Sequence, residues 1–148
     1  MRHNNAAINL KVVFRVICDS TQLGQTVVVT GDSRRLGSWN PLQGVYLITS
    51  AKEFPVWRSE PVPVEHLLPG LTQSPCLEYK YVIIDSANSG KLSQEGITSK
   101  WESFNGNRKV MLTMESAKHN SDVIKLRDTF DKQEERANEE HQRPQVET

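Results

Sequence analysis

From Leu10 to Cys18 the chain alternates, with Leu10, Val12, Phe14, Val16 and Cys18 in one apolar row and Lys11, Val13, Arg15 and Ile17 between them. A period of two puts that row on one face of a β-strand. The β-branched run Thr26 to Thr30 ends at Gly31-Asp32, a turn-forming pair, and predicts a second strand. Weaker candidates run from Val45 to Thr49 and from Val56 to Val64; Pro55, Pro61 and Pro63 suit the latter to a sheet edge. Leu77 to Ile84 alternates strongly, with Leu77, Tyr79, Tyr81 and Ile83 on one face and Glu78, Lys80, Val82 and Ile84 on the other. Lys80 is the outlier in this hydrophobic strand. A last strand carries Val110, Leu112 and Met114. About seven short strands separated by turns, with no helical period before Glu115, predict an all-β fold, an antiparallel, immunoglobulin-like β-sandwich over residues 10–114.

Residues 1–9 read as an N-terminal tail, and beyond Glu115 the character changes. Val123, Leu126 and Phe130 fit one narrow helical stripe, but the following KQEERANEEHQR offers little to bury. Residues 115–148 carry six basic and nine acidic side chains and read as a charged, partly helical linker or tail, a place for a protein partner to dock.

Over its 148 residues the chain balances 18 basic against 18 acidic side chains, so neither nucleic acid nor an anionic membrane is the expected partner. Its longest apolar stretch, near Val27 to Val29, is too short to cross a bilayer, and the first ten residues lack the apolar centre of a secretion signal; a cytoplasmic location is expected. Cys18 and Cys76 have no accompanying histidine pattern, and His3, His66, His119 and His141 are scattered, so no metal site is expected. Spacing leaves a disulfide open, with two free thiols as the default reading. No glycine-rich phosphate loop or nucleophile elbow appears, and no cofactor is implied. Asp32, Asp85 and Glu102 all fall at predicted turns rather than facing each other across a cleft, so no catalytic residue is assigned.

Three segments carry the functional argument: VVVTGDSRRLGSWNP from Val27 to Pro41, LEYKYVI from Leu77 to Ile83, and WESFNGNR from Trp101 to Arg108. Trp39 and Trp101 lie in polar, turn-rich surroundings that provide little apolar cover, and an exposed large aromatic calls for a reason. Sugar rings present apolar C–H faces that stack on aromatic planes and hydroxyl edges that need donors and acceptors. In order and spacing the three segments resemble the hallmarks of carbohydrate-binding module family 20, the starch-binding domains, over about Val12 to Leu112.

That resemblance implies non-catalytic binding of α-1,4-linked glucan, whether starch, glycogen or maltooligosaccharide, in the service of an attached or associated activity. It implies Trp39 and Trp101 as stacking planes, Lys80 as a sugar contact, and Asn107 as the hydroxyl-binding amide. Trp101 and Asn107 are six apart where starch binders commonly have five, which makes Asn105 a competitor for that role. Glu102 either bonds a hydroxyl or positions the loop, and a salt bridge to Arg108 is its structural alternative. Trp57, flanked by valine and close to Pro55, suits packing better than ligand contact. The family's second glucan site relies on tyrosines; here Val28 stands at one such position, and Phe54 is the remaining aromatic candidate. A single site is therefore expected. The alternative is a protein-interaction module using the same sandwich and exposed tryptophans.

Overall fold

The computed structural model describes residues 10–67, 76–85, 99–113 and 122–133. The first alternating run forms β1 (Lys11–Val13) and β2 (Arg15–Ile17), interrupted at Phe14, whose amide donates to Ser59 Oγ at 3.0 Å. β3 (Gln25–Gly31) follows, then β4 (Val45–Tyr46), β5 (Val56–Arg58), β6 (Val62–Pro63), the long β7 (Cys76–Asp85), β8 (Ser99–Trp101) and β9 (Arg108–Met111). Two further strands, β10 (Val123–Lys125) and β11 (Asp128–Thr129), close the described chain.

One layer is built on β1 and β2: β1 lies between β10 and β6, and β2 between β11 and β5. The proline-bearing β6 is an edge strand, where a missing N–H is tolerated. The other layer has the order β4-β3-β7-β8, with β9 also paired to β7. Between the layers lies a core that takes the whole apolar row Leu10, Val12, Phe14, Val16 and Cys18 together with Leu77, Tyr79, Tyr81 and Ile83, as their alternation predicts. Phe14 meets Tyr79 edge to face across it, ring centroids 5.4 Å apart. The fold is thus an all-β sandwich. Cys18 and Cys76 are both free thiols, and burial pushes the Cys18 thiol above its ordinary value.

The expected tail from residue 115, with its helical stripe, is corrected for residues 122–133. β10 pairs with β1 and β11 with β2, both in parallel, which adds parallel ladders to the expected antiparallel pattern. Ile124, Leu126 and Phe130 are buried in the main core. Burial of an aliphatic or aromatic side chain is worth about 1.5–3 kcal/mol, so this segment is an integral part of the sandwich. Two strands of three and two residues are too short to show a period of two, and their spacing also fits a helix. Met114 and residues 134–148 lie outside the described residues.

Candidate functional site

The second layer turns one face away from the core. Val28, Val82 and Ile84 are buried there beneath Leu42, forming a small cluster of their own. Lys80 shares this face with Val82, and Trp101 stands directly opposite Val82 in the β7–β8 register, so the three side chains project to the same side.

The Trp39 loop begins where β3 ends. Gly31 passes so close to β7 that a Cβ there would collide with the Glu78 carbonyl oxygen, which excludes any side chain. Ser33 Oγ then accepts the Leu36 amide at 3.3 Å, capping a 3₁₀ turn Arg34–Leu36. Gly37, Ser38 and Trp39 follow with φ of 85°, 51° and 70°, three successive left-handed residues of which two are not glycine. Each non-glycine residue there costs roughly 1–2 kcal/mol. Hydrogen bonds hold the conformation: the Trp39 amide donates to Gly31 O at 2.8 Å and the Ser38 amide to Ser33 O at 3.0 Å. Asn40 Oδ1 caps the next turn, Pro41–Gln43, which supplies the Leu42 anchor. The result is a half-buried Trp39 on a loop fastened to the outer face. Strain maintained by over-determined surroundings clusters at working surfaces.

The second loop interrupts the ladder along the other edge of β7. β8 pairs with Val82–Ile84 and β9 with Cys76–Tyr79, so residues 102–107 bulge out opposite Lys80 and Tyr81. Trp101, the last residue of β8, is 36% exposed. Lys80 Nζ donates to Phe104 O at 2.9 Å and lies 4.8 Å from the centre of the Phe104 ring, which also packs on the Arg108 guanidinium. Asn107 Nδ2 donates to Glu78 Oε1 at 3.0 Å, and Asn105 is exposed at the tip.

Beneath this loop runs a buried polar network. Glu102 Oε1 accepts from the Tyr81 amide and from Arg108 Nε, both at 3.0 Å, and Oε2 accepts from the Asp131 amide at 2.8 Å. Arg108 also reaches Asp128 at 3.4 Å and donates to the carbonyls of Thr129 and Lys132. The hydroxyls of Tyr79 and Tyr81 donate to Asp128 Oδ2 at 2.9 and 2.8 Å. Burial, then the neighbouring Asp128 carboxylate, raises the Tyr81 hydroxyl well above its ordinary value.

Of the residues singled out in the sequence, Trp39, Lys80, Trp101, Asn105 and Asn107 lie on the two loops or the outer-face strand between them. Glu102 does not share their exposure. Its side chain is 0% exposed and its carboxylate is occupied within the protein, so a ligand hydroxyl cannot reach it and it positions the loop instead. Trp57 likewise belongs to the core: it is 6% exposed and its indole N–H donates to Cys18 O at 3.1 Å. Phe54 is exposed at 44%, edge to face with Trp57, in the turn that precedes β5 of the other layer. The sequence reading did not single out Phe104, Asp128 or Asp131. Asp131 lies 29 residues from Glu102, a separation at which no local pattern signals contact.

Two packed layers, with an exposed indole at a strand end and polar side chains on loops around it, make a β-sandwich of the kind that binds on its surface. The chain belongs to the starch-binding domains of carbohydrate-binding module family 20, whose family model, described as the starch binding domain, matches residues 9–122. The matched residues form a starch-binding module. Over 72 residues, 49% of this chain, it is 39% identical to a glucoamylase of Neurospora crassa, of which the match spans 10%. The fold is shared with a glycoside hydrolase family 15 glucoamylase from Hypocrea jecorina, with a TM-score of 0.59 at 24% identity, covering 84% of this chain and 18% of that one. It is also shared with the family 20 module of a maltotetraose-forming amylase from Pseudomonas saccharophila, with a TM-score of 0.53 at 24% identity, covering 82% of this chain and 100% of that one. The chain thus spans about a tenth of the curated relative and under a fifth of the first of these structures.

Proposed function

We propose that this module binds α-1,4-linked glucan, as starch, glycogen or maltooligosaccharide, by stacking sugar rings on Trp39 and Trp101, and so targets an attached or associated activity to the polymer. Lys80, Asn107 and Asn105 supply hydrogen bonds to the hydroxyl edges, the amides offering both donor and acceptor. The observation that carries this reading is the placement of Trp101. It is an indole on the outer face, at the point where β8 leaves the ladder, and it remains 36% exposed while Trp57 is packed away. An indole left partly open beside polar side chains is the arrangement that stacking on a sugar face requires.

Trp39→Ala and Trp101→Ala test the proposal in amylopectin sedimentation, with competition by maltoheptaose. Removing a stacked aromatic from a binding hot spot typically costs about 2 kcal/mol or more, roughly thirtyfold, which empties a weak site. Both variants are expected to stay folded and lose retention. Normal retention in both would rule the platform out, and retention that maltoheptaose fails to compete would favour a protein-interaction role for the same indoles.

A further inference from the structure

The chain after the matched span of 9–122 does more than complete the core: it fastens both ends of the loop that follows Trp101. At the start of the loop, the Asp131 amide donates to Glu102 Oε2 at 2.8 Å while the Asp131 carboxylate accepts from the Ser103 amide and, at 2.9 and 3.1 Å, from the Ser103 hydroxyl. The exchange is reciprocal. At its far end, Arg108 donates to the carbonyls of Thr129 and Lys132 at 2.8 and 2.9 Å, and Gln133 Nε2 donates to the Asn107 carbonyl at 3.5 Å. Asp131 holds this position with φ at 65°, a left-handed conformation that a non-glycine residue adopts at a cost unless its surroundings impose it.

Glu102 at the entry is also held by the Tyr81 backbone and by Arg108, whereas the hydrogen bonds of Ser103, the next residue, go to Asp131. Ser103, Asn105 and Gly106 are exposed, and Gly106 has open space around it. Pairing with Val82 sets the side to which the Trp101 indole projects, and the clamped pair Glu102-Ser103 that follows holds the end of its strand in place. A shallow platform that binds a neutral ligand weakly loses affinity in proportion to the freedom it must freeze on binding.

We infer that Asp131 is a positioning residue for glucan binding, clamping Glu102 and Ser103 so that Trp101 is presented in a binding-ready orientation. This rests on the glucan reading above. Hydrogen bonding from the Ser103 amide holds the Asp131 carboxyl below its ordinary value, as the clamp requires of its ionised form. Asp131 is exposed and need not touch the sugar for this role.

The test uses the full chain and maltoheptaose as probe, with calorimetric titration, thermal melting and amide exchange at Ser103. Asp131→Gly removes the carboxylate while relaxing the backbone; Asp131→Asn keeps an acceptor and tolerates the left-handed conformation. Asp131→Gly is expected to weaken binding about three- to tenfold and speed Ser103 exchange with little change in melting temperature, and Asp131→Asn to stay near wild type. Ser103→Ala, which removes the hydroxyl bonds alone, is expected to weaken binding less, and serves if Asp131→Gly does not fold. Wild-type affinity in both Asp131→Gly and Ser103→Ala overturns the inference. So does weakened binding with unchanged Ser103 exchange, which would make the carboxylate a direct ligand contact. If instead the wild-type chain shows no binding that Trp101→Ala abolishes, the glucan reading itself fails, while Ser103 exchange still reports whether the clamp exists.

Discussion

The Arg108 guanidinium and the Glu102 carboxylate form an ion pair inside the sandwich, Nε to Oε1 at 3.0 Å, with side-chain exposures of 2% and 0%. Two charges withdrawn from water this far are tolerated only because every remaining donor and acceptor is matched: Glu102 by the Tyr81 and Asp131 amides, Arg108 by Asp128 and two backbone carbonyls. The pair and its partners tie together β7, the loop after Trp101, β9, β11 and the residues just after it.

Removing one partner leaves the other charge buried and unpaired, which typically costs about 3–5 kcal/mol. Glu102→Ala and Arg108→Ala are each expected to lose stability of that order in chemical denaturation. The double change Glu102→Gln with Arg108→Met should recover part of the loss. Single-variant losses under about 1 kcal/mol would show that the pair is solvated in solution.

The strands after residue 122 are expected to be required for folding. Leu126 and Phe130, 4% and 8% exposed, fill the main core, so Leu126→Ala and Phe130→Ala should each cost about 2–5 kcal/mol. A chain ending at Met114 loses both parallel ladders and Asp128, the acceptor of two tyrosine hydroxyls, and should not give a cooperative melt. A sharp melt from that truncated chain, near the wild-type temperature, would contradict the structure.

Alkaline pH should act through Tyr81. Its ordinary value is 10.0 and the fold raises it well above that, chiefly by burial and then by the Asp128 carboxylate. A raised folded value means stability that is fully present below pH 10 and lost as pH climbs from there through the folded value. Melting temperature is expected to decline above pH 10, and any excess stability of wild type over Tyr81→Phe to shrink over the same range. A difference that stays constant to higher pH would show that Tyr81 does not couple folding to protonation.

Valence and salt dependence follow from the surface. Val28, which the family resemblance places where a second site would carry a tyrosine, is 0% exposed beneath Leu42, and Trp57 is in the core. Titration with β-cyclodextrin or maltoheptaose should therefore give a stoichiometry near one and a dissociation constant between about 1 mM and 1 μM. A tenfold rise in salt should leave it nearly unchanged, since stacking and neutral hydrogen bonds release no counterions. A stoichiometry near two, with residual binding at one site in Trp101→Ala, would identify Phe54 as part of a second platform.

The sequence by itself determined the β class and the inward faces, because alternation is a local property. Leu10 to Cys18 and Leu77 to Ile83 needed no partner to announce which side they bury. It also marked Trp39, Lys80 and Trp101, since a large aromatic in a polar turn and a lysine in an apolar strand are visible residue by residue. Neighbours in the chain also separated a packed Trp57 from an open Trp101, but only the tertiary structure supplied the Cys18 carbonyl that takes the Trp57 indole N–H, a partner 39 residues away. It alone turned Val123 to Thr129 from an apparent tail into two parallel strands, because pairing in parallel with β1 and β2 joins positions more than a hundred residues apart. The role of Glu102 was settled in the same way. Its neighbours Tyr81, Arg108 and Asp131 are brought together by three different strands and loops, and a carboxylate's burial is a property of what surrounds it, not of the residues beside it in the chain.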